Sequence, residues 1–344
     1  RVVHPNDHVN YGQSSNDVIP TAMHVAALEA VEKDVMPGLE TLAAELEAKE
    51  AAFDDVVKTG RTHLQDATPV RLGQEFGGYR TQIEKGIERV GATKERLGEL
   101  ALGGTATGTG LNTHPEFPKL AAENISAETG LEFREADNHF EAQAAHDAMS
   151  EAHSALRTVA GSMNKIANDL RLLASGPRNG LGEIEQPENQ PGSSIMPGKI
   201  NPVVAESVNQ VHKQVLGNDT AVSAGAARGE IDLNLYKPVL AYNFLQSASL
   251  IANSAEVFGE RFVGKLEANA DYCRKRVDQS MALATALNPA IGYDAASKVA
   301  KKALEEGKSV REVAVGEGYL SEAEADEVLD PRAMTERVIL GADE

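Results

Sequence analysis

"LGQEFGGYRTQIEKGIERV", residues 72–90, places Leu72, Phe76, Tyr79, Ile83, Ile87 and Val90 at intervals of three and four. That spacing is the helical period, and the charges between these positions give the opposite face to water. The same period runs through Val25, Leu28, Val31 and Val35, with Asp17 and Pro20 as start signals. It continues in Leu39, Leu42 and Leu46 after Pro37–Gly38. It returns in Val159, Met163, Ile166, Leu170 and Leu173, where Gly176–Pro177 stops it. Val208, Val211 and Val215 open a further helix. Strand-type alternation bounded by hairpin turns is nearly absent, "VVK" before Gly60 being a short exception. Stripes this long cannot bury themselves, so the expected fold is all-α, a long helical bundle that needs neighbours and points to an oligomer. From about Asp271 the helices look shorter, broken by "LNPAIGYD" and "GYLSEAE", which predicts a small C-terminal helical domain.

A chain of 344 residues predicts two or three domains. No run of about 18 apolar residues occurs, so no membrane span is expected. The single cysteine, Cys273, forms no intrachain disulfide and excludes a cysteine-cluster metal site; it fits a reducing, cytoplasmic setting. With 52 acidic against 33 basic residues the net charge is −19, a surface that repels nucleic acid and anionic membrane. The charge reads either as an ordinary solvated surface or as adaptation to salt. The acidic "SEAEADE" excludes a DNA-binding reading of the helices around residue 320.

Four polar islands interrupt the helices, where sites usually live. In "HPNDHVNYGQSSND", residues 4–17, Ser14, Ser15 and Asn16 precede a helix; they suit a carboxylate or phosphate, or simply cap the helix. In "KTGRTHLQDATP", residues 58–69, Thr62 and His63 follow Gly60–Arg61, and His63 is either a general acid–base group or a structural imidazole. "GGTATGTG", residues 103–110, lacks the flanks of a nucleotide loop and reads as a turn needing positive φ, with Thr105 or Thr107 able to line a pocket. "PGSSIMPGKINP", residues 191–202, holds three prolines and two glycines around Ser193, Ser194, Lys199 and Asn201. Such a loop can aim backbone N–H groups at an anion, and Ser193 or Ser194 is a nucleophile or base if its alkoxide is stabilised. The histidines show no metal-ligand spacing, so no metal is expected.

The last loop resembles the signature of the fumarase/aspartase superfamily. The resemblance spreads over "HPNDHVNYGQSSND", "GRTHLQDATPVRLGQEF", "LGGTATGTGLNTHPEF", "KIANDLRLLASGPRNGLGEI", "NFLQS", "TALNPAIGYD" and "GYLSEAE", which look like the class II fumarate hydratases. It implies a tetrameric bundle fold, divided as the end of an N-terminal domain at 1–13, a central helical bundle at 14–270 and a small C-terminal domain at 271–344. The first residue is Arg1, and most of the family's N-terminal domain is expected to be missing.

The implied reaction is reversible hydration of fumarate to (S)-malate in the tricarboxylic acid cycle, with no cofactor. Within the superfamily, His63 and Gly198 favour fumarase over aspartase. By the resemblance, Ser193 is the base that removes the C3 proton of malate, leaving an aci-carboxylate. His63 activates the water and Glu206 orients it. Ser14, Ser15, Asn16, Thr62, Ser194, Lys199 and Asn201 grip the substrate carboxylates. His4, Asn6 and Asp7 match a second dicarboxylate site, and each site draws on three subunits. The alternatives are an aspartate ammonia-lyase and a catalytically silent structural homologue.

Overall fold

A computed structural model describes residues 2–337, 339 and 340. Arg1, Val338 and residues 341–344, at the ends of the expected first and last domains, lie outside the described residues. The architecture is helical, as the stripes predict. After a π-helical turn at Pro5–Val9 come α1 (Ser15–Ala30), a π-helical turn at Val31–Val35 and α2 (Met36–Ala52). These last three form one uninterrupted run. Pro37 has no N–H to close an ordinary turn, and the widened turn just before it lets the Met36 N–H bond Val31 instead.

A hairpin follows, β1 (Val57–Thr62) against β2 (Gln65–Arg71), and then α3 (Leu72–Gly91) and the short α4 (Lys94–Leu97). A pair of two-residue strands, β3 (Glu99–Leu100) and β4 (Arg134–Glu135), brackets α5 (Phe117–Thr129). Next come α6 (His139–Ala144) and α7 (Asp147–Leu173). Another two-residue pair, β5 (Ile184–Glu185) and β6 (Glu267–Ala268), brackets α8 (Val203–Ala226) and α9 (Lys237–Arg261). Five short helices, α10 (Ala270–Asp278), α11 (Asn288–Ile291), α12 (Tyr293–Glu306), α13 (Val310–Gly316) and α14 (Glu322–Val328), close the chain.

Two compact units emerge from this chain. The first, residues 1–43, 81–168 and 202–261, buries the predicted stripes: Val31, Val35, Leu39, Leu42, Ile83, Val159, Met163, Ile166, Val208 and Val215 are almost wholly removed from solvent. At about 25 cal/mol per Å² of apolar surface, each such side chain contributes about 1.5–3 kcal/mol. The unit also buries a polar chain: His153 Nδ1 meets Asp219 at 2.9 Å, while its Nε2 meets the Ser247 hydroxyl at 2.8 Å.

The second unit comprises residues 44–80, 169–201 and 262–344. Its Phe53 and Phe76 rings pack edge to face at 5.2 Å. Its C-terminal helices share a core that includes Val277, Leu287, Val299, Val310 and Val328. The hairpin in this unit corrects the expectation of a mere trace of strand. Lys58 pairs with Val70 and Thr62 with Gln65, and the ladder slips by one residue between Thr59 and Arg61. That slip breaks the alternation by which a strand is recognised. Gly60 sits at the slip, where a Cβ would come within 2.5 Å of the Thr68 carbonyl oxygen.

Candidate active site

Within the first unit the island at 4–17 organises itself around α1. The helix begins earlier than Asp17 and Pro20 predict. Ser14 is its N-cap, its hydroxyl accepting the Asn16 N–H at 3.1 Å, and Pro20 is buried inside the helix. Asp17 completes a capping box by accepting the Ser14 N–H at 2.9 Å. Its other oxygen reaches the glycine-rich loop and accepts the N–H groups of Gly103 at 3.0 Å and Thr105 at 2.9 Å. The Asn16 amide donates to the Ala106 carbonyl at 2.8 Å.

A fully buried carboxylate thus ties the Ser14–Asn16 segment to the 103–110 loop, whose residues Gly103, Thr105, Gly108 and Gly110 take the positive φ that its composition predicts. Sequence reasoning read Asp17 as a helix start alone. The S-x-x-D spacing was visible, but the partners nearly ninety residues away were not. Ser15 stays exposed at the first turn, where the helix dipole favours an anion.

His4, Asn6 and Asp7 lie together on the exposed π-helical turn. His4 Nδ1 accepts the N–H groups of Asn6 at 3.2 Å and Asp7 at 3.0 Å, so the ring caps the turn. Glu206 lies in the first turn of α8, half-buried.

Within the second unit, Thr62 and His63 occupy the exposed tip of the hairpin. His63 and Leu64 form its two-residue loop at φ +56° and +61°, the left-handed region that such a turn demands. No hydrogen bond occupies the His63 ring among the described residues.

The loop at 191–202 is exposed over most of its length. Its prolines and glycines set one local geometry. A Cβ on Gly192 would lie 1.4 Å from the Lys199 carbonyl oxygen, so the loop folds back where only glycine fits. The Ser193 hydroxyl oxygen accepts the backbone N–H groups of Ile195 at 3.3 Å and Met196 at 3.2 Å. Lys199 Nζ donates to Asn201 Oδ1 at 2.9 Å. The loop therefore carries a serine oxygen facing two dipoles and, further along, an ammonium beside an amide. That arrangement stabilises negative charge. Ser194 stands on the same loop, exposed.

Residues 1–217 match the family described as Lyase, and residues 283–336 match Fumarase C C-terminus. A class II fumarate hydratase of Halobacterium salinarum is 78% identical over all 344 residues, which span 73% of its length. One from Nitrosomonas europaea is 53% identical over 98% of this chain and 73% of its own. Among solved structures, the class II fumarase of Schistosoma mansoni superposes with a TM-score of 0.92 at 38% identity, covering 97% of this chain and 73% of that one. A Brucella melitensis protein described as fumarate lyase:delta crystallin bound to cobalt superposes with a TM-score of 0.93 at 44% identity, covering 97% and 72%. The chain belongs to the class II fumarate hydratases of the fumarase/aspartase superfamily, and its reaction is the reversible hydration of fumarate.

Proposed function

We propose that Ser193 is the base of this hydration and dehydration. The observation that carries the proposal is the pair of N–H groups on its hydroxyl oxygen, 3.3 and 3.2 Å away. A serine hydroxyl is a poor base; an alkoxide held by two backbone dipoles, with an ammonium on the same loop, is a better one. In the malate-to-fumarate direction Ser193 takes the C3 proton, and the electron pair moves into the neighbouring carboxylate as an aci-carboxylate. Lys199 and Asn201 stabilise that charge as it develops. The C2 hydroxyl then leaves as water with a proton from His63, which Glu206 orients. Hydration runs the same steps in reverse. Ser14, Ser15, Asn16, Thr62 and Ser194 hold the two carboxylates.

His4, Asn6 and Asp7 form a second, entrance-side dicarboxylate site in this reading. The working form is a homotetramer in which segments of three subunits meet at each site. The exposure of Ser15, Thr62, His63 and Ser194 in the single chain supports this. No described helix is long and apolar enough to cross a membrane, and the lone buried cysteine fits a cytoplasmic setting.

The test follows ultraviolet absorbance of the conjugated product. Malate should give fumarate and aspartate should not; the reverse would move the activity to ammonia elimination. Ser193→Ala should keep the assembly and lose about 10²–10⁴ in turnover, the usual contribution of a general base. Near-normal turnover in that variant would overturn the base assignment.

A further inference from the structure

His63 and Leu64 hold left-handed backbone, φ +56° and +61°, without being glycine. Each costs about 1–2 kcal/mol relative to a relaxed conformation. Such strain persists only where the surroundings over-determine it. The two-residue turn requires that backbone, and at the root of the hairpin lies a group of charges, with Lys58 and Glu183 buried and Arg61 and Glu75 partly so. Lys58 is 1% exposed and reaches Glu75 Oε1 at 2.9 Å and Glu183 Oε2 at 3.2 Å. Arg61, one residue from Thr62, reaches Glu183 Oε1 at 2.7 Å. Strict alternation would send side chains 58 and 61 to opposite faces of the strand. The slipped ladder at Gly60 twists β1 locally, and both cations meet one carboxylate.

Glu183 is itself a fixed post. Its side chain is 1% exposed. Its N–H donates to the Leu173 carbonyl at 2.9 Å, and its carbonyl accepts the Asn269 N–H at 3.0 Å. The next two residues form the strand pair with Glu267–Ala268. Two cations and two carboxylates balance, so the group is neutral as a whole. Such groups add little net stability, but removing one member leaves an uncompensated buried charge. A device of that kind fixes geometry.

We propose that Arg61 and Glu183 are positioning residues for the hydration step, acting through the hairpin tip to place Thr62 and His63. The proposal rests on the reading of His63 as the group that handles the water. Neither Arg61 nor Glu183 needs to touch substrate. Their contribution is the orientation of the tip, and a displacement of about 1 Å at a reacting group costs about 10²-fold in rate. The Arg61 guanidinium fork spans two acceptors, Glu183 at 2.7 Å and the Thr59 carbonyl at 3.4 Å, an orientation that a lysine point charge does not give.

The experiment is a double-variant cycle in the complete, assembled enzyme. Arg61→Lys, which keeps the charge and loses the fork, should lower kcat by about 10–100-fold with KM nearly unchanged. Glu183→Gln should do the same where it assembles. His63→Asn should lose most turnover, and Arg61→Lys placed on top of it should cost no more than about twofold further, because the second residue acts through the first. Losses that multiply in the double variant, or Arg61→Lys with normal kcat beside an inactive His63→Asn, would overturn the positioning role alone. Near-normal turnover in His63→Asn would overturn the role of His63 and this proposal with it.

Discussion

His146 predicts how the protein fails in acid. It sits between α6 and α7, 1% exposed, and neither ring nitrogen has a hydrogen-bond partner among the described residues. Burial first, then the neighbouring basic side chains His24 and Lys237, push its pKa down from 6.5 to about 3. The folded protein therefore holds this ring neutral, whereas the unfolded chain protonates it below about pH 6.5. The unfolded state binds the extra proton, so stability is full above pH 6.5 and falls as the pH drops toward 3. At pH 5, one and a half units into that window and at about 1.36 kcal/mol per unit, His146 alone costs about 2 kcal/mol.

His146→Leu removes the titration without orphaning a partner, since the ring has none. Urea unfolding of both proteins at pH 7.5 and pH 5 checks the reasoning. The variant's stability relative to the native protein should improve by about 2 kcal/mol on going to pH 5. A difference that stays constant between the two pH values would refute it.

Asp17→Asn leaves an amide N–H₂ facing at least one of the three backbone N–H groups that the carboxylate now accepts. It should cost about 2–4 kcal/mol in urea unfolding, and a cost below about 0.5 kcal/mol would place it with ordinary surface changes. Leu64→Gly relieves a left-handed residue that is 70% exposed, so it should raise stability by about 1 kcal/mol, read as a higher urea midpoint. A lower midpoint would mean that the tip is not strained. A net charge of −19 repels itself, and raising KCl from about 0.1 M to about 1 M shortens the screening length from about 10 Å to about 3 Å. The melting temperature should rise over that range; a flat response would mark an ordinary solvated surface.

What was legible follows from how far each interaction reaches along the chain. The stripe from Leu72 to Val90 and the one from Val159 to Leu173 repeat every three or four residues, so the helices declare themselves. The loop at 191–202 does so as well, because its hydrogen bonds join Ser193 to Ile195 and Met196, and Lys199 to Asn201. The hairpin at 57–71 hid for two physical reasons. Its ladder slips at Gly60, and its tip is His63–Leu64 instead of the Asn-Gly or Asp-Gly that usually announces such a turn.

Asp17 was half legible: its bond to Ser14 is local, while those to Gly103 and Thr105 are not. Glu183 was not legible at all. It stands in a glycine-rich turn, and its cations, Lys58 and Arg61, lie more than a hundred residues earlier. The residues that touch substrate in the proposed mechanism sit in loops or at the ends of helices and strands, where the peculiarities are local. The residues that hold those loops in place act across long separations and leave no pattern. A strained tip on a neutral, partly buried, four-charge root is a combination that only the folded chain reveals. It is also where a conservative change such as Arg61→Lys should reach the chemistry without touching substrate.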